Sequence, residues 1–547
     1  VNGQDKLIIH QAQTTLPDGT VLPVPDYSFN IAAPDDVSGW PEYADWQQQV
    51  VCFSGIEDGV VLELDYEVVT PRGVLPWIEA DVRLDHEYPI VERVVTVTVP
   101  DQATLHYQSD RAAGLVYTET PSDGGGATTH RWAMEDLPSA PGEEGSWPWR
   151  QRCPRLRFTT CPDVETWVRT MIERVDRAGR PDQMIKQFAD AAAEDELDPA
   201  QRVRKVAKKL HDSFNFITSA KTMWGLPCRD AAEVLRTNYG NSLESAAVLL
   251  AAVRAMDMKA SIAIGVDAGS WTDTDELAPP GGAFAGAVVV VNSPDGAMYV
   301  HPQHGVFENP GHWGRHHLLN LDSGGKMQHQ YVAARGEKKP SDLQITGKIK
   351  VDKDGKASGQ LRINLTGAFY DPHDLDTTDA QEALVKGFVG QVLSDFEVAG
   401  HSIITLSGDV LKATANVASK DKLKSADKHH MLKFGGGPAF LAEFSLPVDR
   451  SYRSTDVHVA GAFREQVNLV VELPEEWTAS VVPTSMKPVV GPWGNLSQTV
   501  EVEDGKVRFH RAVAITTDTI TPDDFAGLRD AVNTLKATRS LVLVCGK

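Results

Sequence analysis

The densest group of side chains able to bind or react is a run of histidines. His301, His304, His312, His316 and His317 make up five of the 17 in the chain. Imidazoles this close in sequence invite a metal-binding module, with His301, His304, His312 and His316 as its ligands. Their spacing matches no recognised ligand pattern and the stretch is rich in Gly and Pro, so a polar surface loop is the plainer account. A second candidate is Ser242, which heads a helical pattern with Leu243, Ala246, Ala247, Leu250 and Val253 on its buried face. A hydroxyl at a helix start is a nucleophile only with a base against it, because serine is not ionised at neutral pH. The plainer reading is an N-cap at Ser242 or Asn241, with Glu244, three residues after Asn241, completing a box-like arrangement. The stretch Asp352, Lys353, Asp354, Gly355 opens like a calcium loop but lacks the later ligands, and a hairpin turn explains it.

Elements of three kinds must hold these residues. At 547 residues about three domains are expected. Up to about residue 135 the apolar positions alternate, as in Val60 to Val68 after the Asp58-Gly59 turn and in Val95, Val97 and Val99. This is the period of a β-sandwich-like domain. Leu137 to Gly145 reads as a linker. From about residue 162 the period turns helical. Val164, Trp167, Val168, Met171, Ile172 and Val175 line one face, and a second helix opens on Asp198 and Pro199. The run after Asn241 is a third, and the apolar strands Ala260 to Val266 and Ala287 to Val291 follow it. Beyond Gly324-Gly325 strands return, with a hairpin about Asp354-Gly355 and a late helix behind Thr521. The expected parts are residues 1–150, β-rich; 151–330, mixed α and β; and 331–547, β-rich again.

Charge and composition exclude some functions. With 53 Lys and Arg against 75 Asp and Glu, the formal charge is −22, which disfavours nucleic acid and anionic lipid as partners. No stretch approaches the roughly 20 apolar residues needed to span a bilayer as a helix. The four lysines from Lys420 to Lys428 make a local patch in so acidic a chain. Among the five cysteines, Cys153 and Cys161 are close enough in sequence to be bridged in an oxidising compartment. The chain opens at Val1 rather than on a methionine, so a removed leader and a trimmed start are both open.

The stretch from Cys228 to Val266 resembles the nucleophile segment of the transglutaminase-like superfamily, which has a papain-like fold. Gly240, Asn241 and Ser242 fall where that family has Gly-Asp-Cys, and Leu249 to Ala260 resembles its apolar helix and exit. On either side, Gly59 to Tyr66 with Tyr88 to Arg93 looks like the domain of unknown function that precedes this core in exported bacterial proteins. The step Leu473-Pro474-Glu475-Glu476-Trp477 and the helix after Pro522 look like that architecture's C-terminal part. The resemblance implies an α+β multidomain chain: an N-terminal β-sandwich-like domain, a central papain-like α+β domain, and a C-terminal β-rich domain with a late helix.

The family's chemistry is acyl transfer by a thiolate, a histidine and an orienting aspartate. The resemblance puts Ser242 at the cysteine position, Gly286 at the histidine position and His301 at the aspartate position, so none of the three is kept. That implies a non-catalytic relative, a binding or scaffold module of the cell envelope, periplasmic or secreted, with a peptide or protein ligand in the central groove and no cofactor. Trp224 would wall the groove. Two alternatives stay open: a hydrolase or acyltransferase acting on peptide amides through Ser242 with His301 as base, and the metal-binding module. Oligomeric state is not legible.

Overall fold

The structure, a computed structural model, describes all residues except 1–4, 36–38, 41–46, 71–74, 123, 218–227, 294–295, 308–313, 334–339, 370–374, 376, 408–409, 436–450, 460 and 538–540. Trp224 and His312 therefore lie outside the described residues.

Turn residues break the N-terminal part into short antiparallel strands. Lys6–Thr15 lies between Val21–Pro23 and Val61–Val69, and Ala127–Leu137 lies between Ile90–Pro100 and Val116–Pro121. Val97 and Val99 are buried with Leu84, Leu105, Trp132 and Leu156 in a small core, while Thr96 and Thr98 face out. Val61–Val69 is exposed along its whole length despite its apolar alternation, because it is the edge strand of its sheet. A further strand, Arg155–Thr159, lies past residue 150 yet joins Glu79–Arg83 and His106–Asp110. It also separates Cys153 from Cys161, since five extended residues cover about 16 Å. Both cysteines are buried and unbridged.

The stretch expected to be a linker is fastened down. Glu143 accepts from the amides of Ser454 (3.0 Å) and Thr455 (2.9 Å), and the fully buried Arg453 donates to Glu144 O at 2.7 Å. Chain expected to hinge thus joins the first and last parts of the protein.

The central part is a helical layer on a six-stranded antiparallel sheet. The strand order is Gly305–Phe307, Gly296–His301, Phe284–Ser293, Ala260–Asp267, His316–Leu321, Met327–Val332. Its helices begin where capping chemistry allows. Asp163 accepts from Thr166 N ahead of Val164–Ala178, Asp182 from Ile185 N ahead of Gln183–Ala192, and Asp198 from Gln201 N ahead of Pro199–Ser213. Ser242–Ala255 differs from these amphipathic helices. Every residue from Leu243 to Val253 is buried, so it is the enclosed spine about which the others pack.

The C-terminal part is an eight-stranded sheet ordered Phe396–Ser407, Val410–Ser419, Ala357–Thr366, Ser341–Val351, Phe463–Glu472, Lys506–Ile515, Gly494–Glu503, Met486–Gly491. Asp352 accepts from Asp354 N (2.9 Å) and Lys356 N (2.8 Å), which makes the Asp354-Gly355 segment a hairpin turn. Ser341–Val351 and Phe463–Glu472 pair in parallel. Helices Thr378–Val392 and Pro522–Lys536 bury Val385, Phe388, Phe525 and Leu528 in this sheet's core. The chain is therefore α+β and multidomain, with a β-sandwich-like start, a helix-on-sheet centre and a β-rich end that carries a late helix. No helix among the described residues is long and apolar enough to cross a membrane.

Candidate functional site

Ser242 is the first residue of the enclosed helix. Asn241 Oδ1 accepts from Leu243 N and Glu244 N, both at 3.0 Å, and Glu244 Oε2 accepts from Asn241 N at 3.2 Å, so the capping box is complete. Gly240 stands against it, where a β-carbon would lie 3.0 Å from both Glu244 Oε2 and Val234 Cγ1. Glu244 is only 2% exposed, and a carboxylate at that depth needs a counter-ion. Arg229 supplies it as a fork, Nε to Oε1 at 2.7 Å and Nη2 to Oε2 at 2.9 Å. The same guanidinium donates to Tyr239 O at 2.9 Å and lies over the Tyr239 ring.

This arrangement works against a reactive group. A helix N-terminus favours anions through its free amides and dipole, but here the first-turn amides are taken by Asn241 and a carboxylate already sits in the first turn. Cys228, beside Arg229, shows the local result: burial first, then the Glu244 charge, pushes its thiol up to about 12. The Ser242 side chain is half-buried, and no described residue hydrogen-bonds its hydroxyl.

His301 ends the strand Gly296–His301 and is 5% exposed. Its Nδ1 faces the amides of Gln303 (3.2 Å) and His304 (3.3 Å) and accepts from both. The neutral ring then carries its proton on Nε2, so it presents a donor rather than a lone pair. Burial, followed by the nearby His304 and His316 rings, holds its pKa well below the ordinary histidine value. A ring in this state resists the proton that a general base must accept.

Gly286 lies in Phe284–Ser293 opposite Gly265. Its φ is +140°, a left-handed backbone that L side chains rarely adopt. Alternation along the strand groups position 286 with Val288 and Val290. These face a separate small core, whereas Ala287, Val289 and Val291 pack toward the spine helix. The structure therefore places Ser242, Gly286 and His301 in one domain, on the spine helix and two adjacent strands. Gly286 has no side chain to serve as a base, and His301 Nδ1 is engaged by two backbone amides.

Of the histidine run, His301 and His304 meet ring to ring at 4.6 Å, while His316 and His317 alternate along the next hairpin. Among the described residues no three His, Cys, Asp or Glu side chains converge in a way that could hold a metal ion. His317 has instead a partner outside the run, with its Nδ1 2.6 Å from His329 Nε2. His329 Nδ1 lies 3.8 Å from Asp273 Oδ2, and Trp271 stands edge-on to both rings. Sequence reasoning missed His329. The signal was Gly324-Gly325, taken for the end of a domain. It is a hairpin turn in which Asp322 Oδ1 accepts from Gly324 N and Lys326 N, and it folds Met327–Val332 back onto His316–Leu321.

Residues 2–141 match the domain of unknown function DUF3857, and residues 437–545 match the domain of unknown function DUF3858. Among solved structures, the chain is similar to a candidate protease from Parabacteroides distasonis. The two are 17% identical with a TM-score of 0.70, over 99% of this chain and 90% of that one. They share a fold along nearly their whole length. A candidate cysteine protease from Cytophaga hutchinsonii aligns over 47% of this chain and 92% of its own at 10% identity, with a TM-score of 0.20. The periplasmic domain of TgpA from Pseudomonas aeruginosa aligns over 54% and 89% at 12% identity, with a TM-score of 0.18. No curated protein matches the chain.

Proposed function

We propose that this is a non-catalytic transglutaminase-like protein that acts as a binding or scaffold module of the cell envelope. The observation that carries the reading is the state of His301. Its Nδ1 is committed to two backbone amides, and the ring is buried among other histidines. To act as a base toward Ser242 it would have to give up both hydrogen bonds and accept a proton where burial disfavours one. Gly286 adds to this, because its backbone angle suits glycine and not the histidine that acyl transfer would require. The Ser242 position is accounted for by capping: the box with Glu244 and Arg229 makes it a structural helix start.

A fluorophosphonate label and a panel of peptide amides test the proposal. The expected result is no labelling at Ser242 and no turnover above that of Ser242→Ala. Labelling at Ser242 that is lost in His301→Gln would instead support a Ser–His hydrolase. Stoichiometric metal in the purified protein, lost on replacing His304 and His316, would favour the metal module. An exported location follows from the same resemblance, and fractionation of the native host tests it.

A further inference from the structure

The three parts of the chain meet around a cleft of about 950 Å³ that Ser242 does not line. Its walls carry Arg111 from the first part, Arg152 just past the boundary at residue 150 and Arg315 from the second part, with Trp147, Tyr331 and the buried His317 beside them. Among the described residues none of these three arginines has a carboxylate partner. Arg111 reaches only Arg150 O, at 3.5 Å, and Arg152 Nε is buried with no hydrogen-bond partner. In a chain of net charge −22, three uncompensated guanidiniums on one cleft are an arrangement that folding does not need. The cleft is also held open by contacts that fix its shape. Trp147 Nε1 donates to Thr519 Oγ1 at 3.2 Å and its ring packs 3.7 Å from that of His458. Gly269 and Gln151 meet so closely on the wall that a β-carbon at 269 would lie 1.7 Å from Gln151 Nε2.

We infer that this three-part cleft binds an acidic peptide, with its carboxylates on Arg111, Arg152 and Arg315 and its chain against Trp147 and Tyr331. Guanidinium forks match carboxylates in geometry, and the volume admits several residues. Two aspartates on the same walls, Asp273 and Asp456, decide against a dense polyanion such as a polyphosphate. They would repel it, whereas a peptide offers them amides and an ammonium group. The Arg315 guanidinium, 5.9 Å from the Trp147 ring centre, already shows how a planar group lies on that wall. Because the ligand touches all three parts, occupancy would also lock their arrangement. The inference is independent of whether Ser242 is inert, since binding is measured without any reaction.

Calorimetry on the full chain with the unlabelled tripeptide glutamyl-glutamyl-tyrosine, termini free, tests it. One site per chain is expected, weakened at least tenfold by Arg152→Ala and by Arg315→Ala, partly restored by Arg315→Lys, and unchanged by Arg464→Ala on the exposed face of the C-terminal sheet. Arg111 is exposed, so Arg111→Ala reports on the cleft even if a variant at Arg152 fails to fold. Binding no tighter than that of a trilysine peptide, or equal in wild type and all three alanine variants, overturns the inference. So does inorganic triphosphate binding more tightly than the peptide.

Discussion

Replacing Arg229 by methionine keeps the apolar stem and removes the charge that holds Glu244. The structure sets the scale of the consequence. Glu244 is 2% exposed and its two oxygens receive Arg229 at 2.7 and 2.9 Å, while the same guanidinium caps Tyr239 O at 2.9 Å and Thr237 Oγ1 at 3.2 Å. Breaking a buried pair on one side costs about 3–5 kcal/mol, because the remaining charge stays desolvated. At about 1.4 kcal/mol per factor of ten, amide protection in the helix Ser242–Ala255 should fall by roughly two to three and a half powers of ten. Native-state hydrogen exchange reads this helix directly, which matters in a multidomain chain where a single melting temperature is poorly defined. Adding Glu244→Gln to Arg229→Met neutralises the stranded group and still offers Asn241 N an acceptor, so part of the protection should return. A loss below tenfold in Arg229→Met, or a double variant no better than the single, would refute the claim that this ion pair organises the helix start.

Two further outcomes follow from the same geometry. Ser242→Cys in a Cys52→Ser background should give a thiol that titrates at about 8.5 or above, because a carboxylate occupies the first turn and no base faces it. The pH profile of iodoacetamide capture measures this, and a thiolate below pH 7 would mean that a cationic or basic partner had been overlooked. Acid sensitivity comes from the histidines. His301, His316 and His317 are all held below the ordinary value, chiefly by burial, so the unfolded chain binds protons first as pH falls. Their contribution is complete above about pH 6.5 and is lost as pH drops toward the depressed folded values, at up to about 1.4 kcal/mol per pH unit for each ring. Half-buried Glu79, raised by desolvation, works in the opposite sense, so wild type and a histidine variant that share it are compared from pH 7.5 to 5.5. Exchange-detected stability of the central sheet should decline across that window and decline less in His301→Gln. An unchanged slope would show that His301 is not buried as a neutral ring.

Local chemistry was legible in the sequence and long-range chemistry was not. Asp198, Asn241 and Thr521 each announce a helix because a cap acts within three residues of itself, and all three cap in the structure. The Asp354-Gly355 turn is equally local. The helix after Asn241 was visible from Leu243, Ala246, Ala247, Leu250 and Val253 on one face, whereas its burial on every side was not. By contrast, Ser341–Val351 pairs in parallel with a strand more than a hundred residues later, and no periodicity encodes a partner at that range. Arg155–Thr159 was overlooked because its arginines look exposed. Arg155 and Arg157 are buried instead, paired with Asp110 and Asp275. The cleft escaped for the same reason, as its arginines come from separate parts of the chain and carry no motif.

Positions 242, 286 and 301 each have a local structural role in this fold. At the helix start Asn241 and Glu244 consume free amides and Arg229 neutralises the carboxylate, so little is left there to attract an anion. Gly286 takes a φ of +140° opposite Gly265, and a bulge follows between Gly265 and Val266, so the backbone there favours glycine. His301 Nδ1 is fastened by the amides of its own turn. Changing any one of the three therefore disturbs local structure. A side chain at 286 would sit on a strained backbone, on the face of Val288 and Val290 and away from the spine helix.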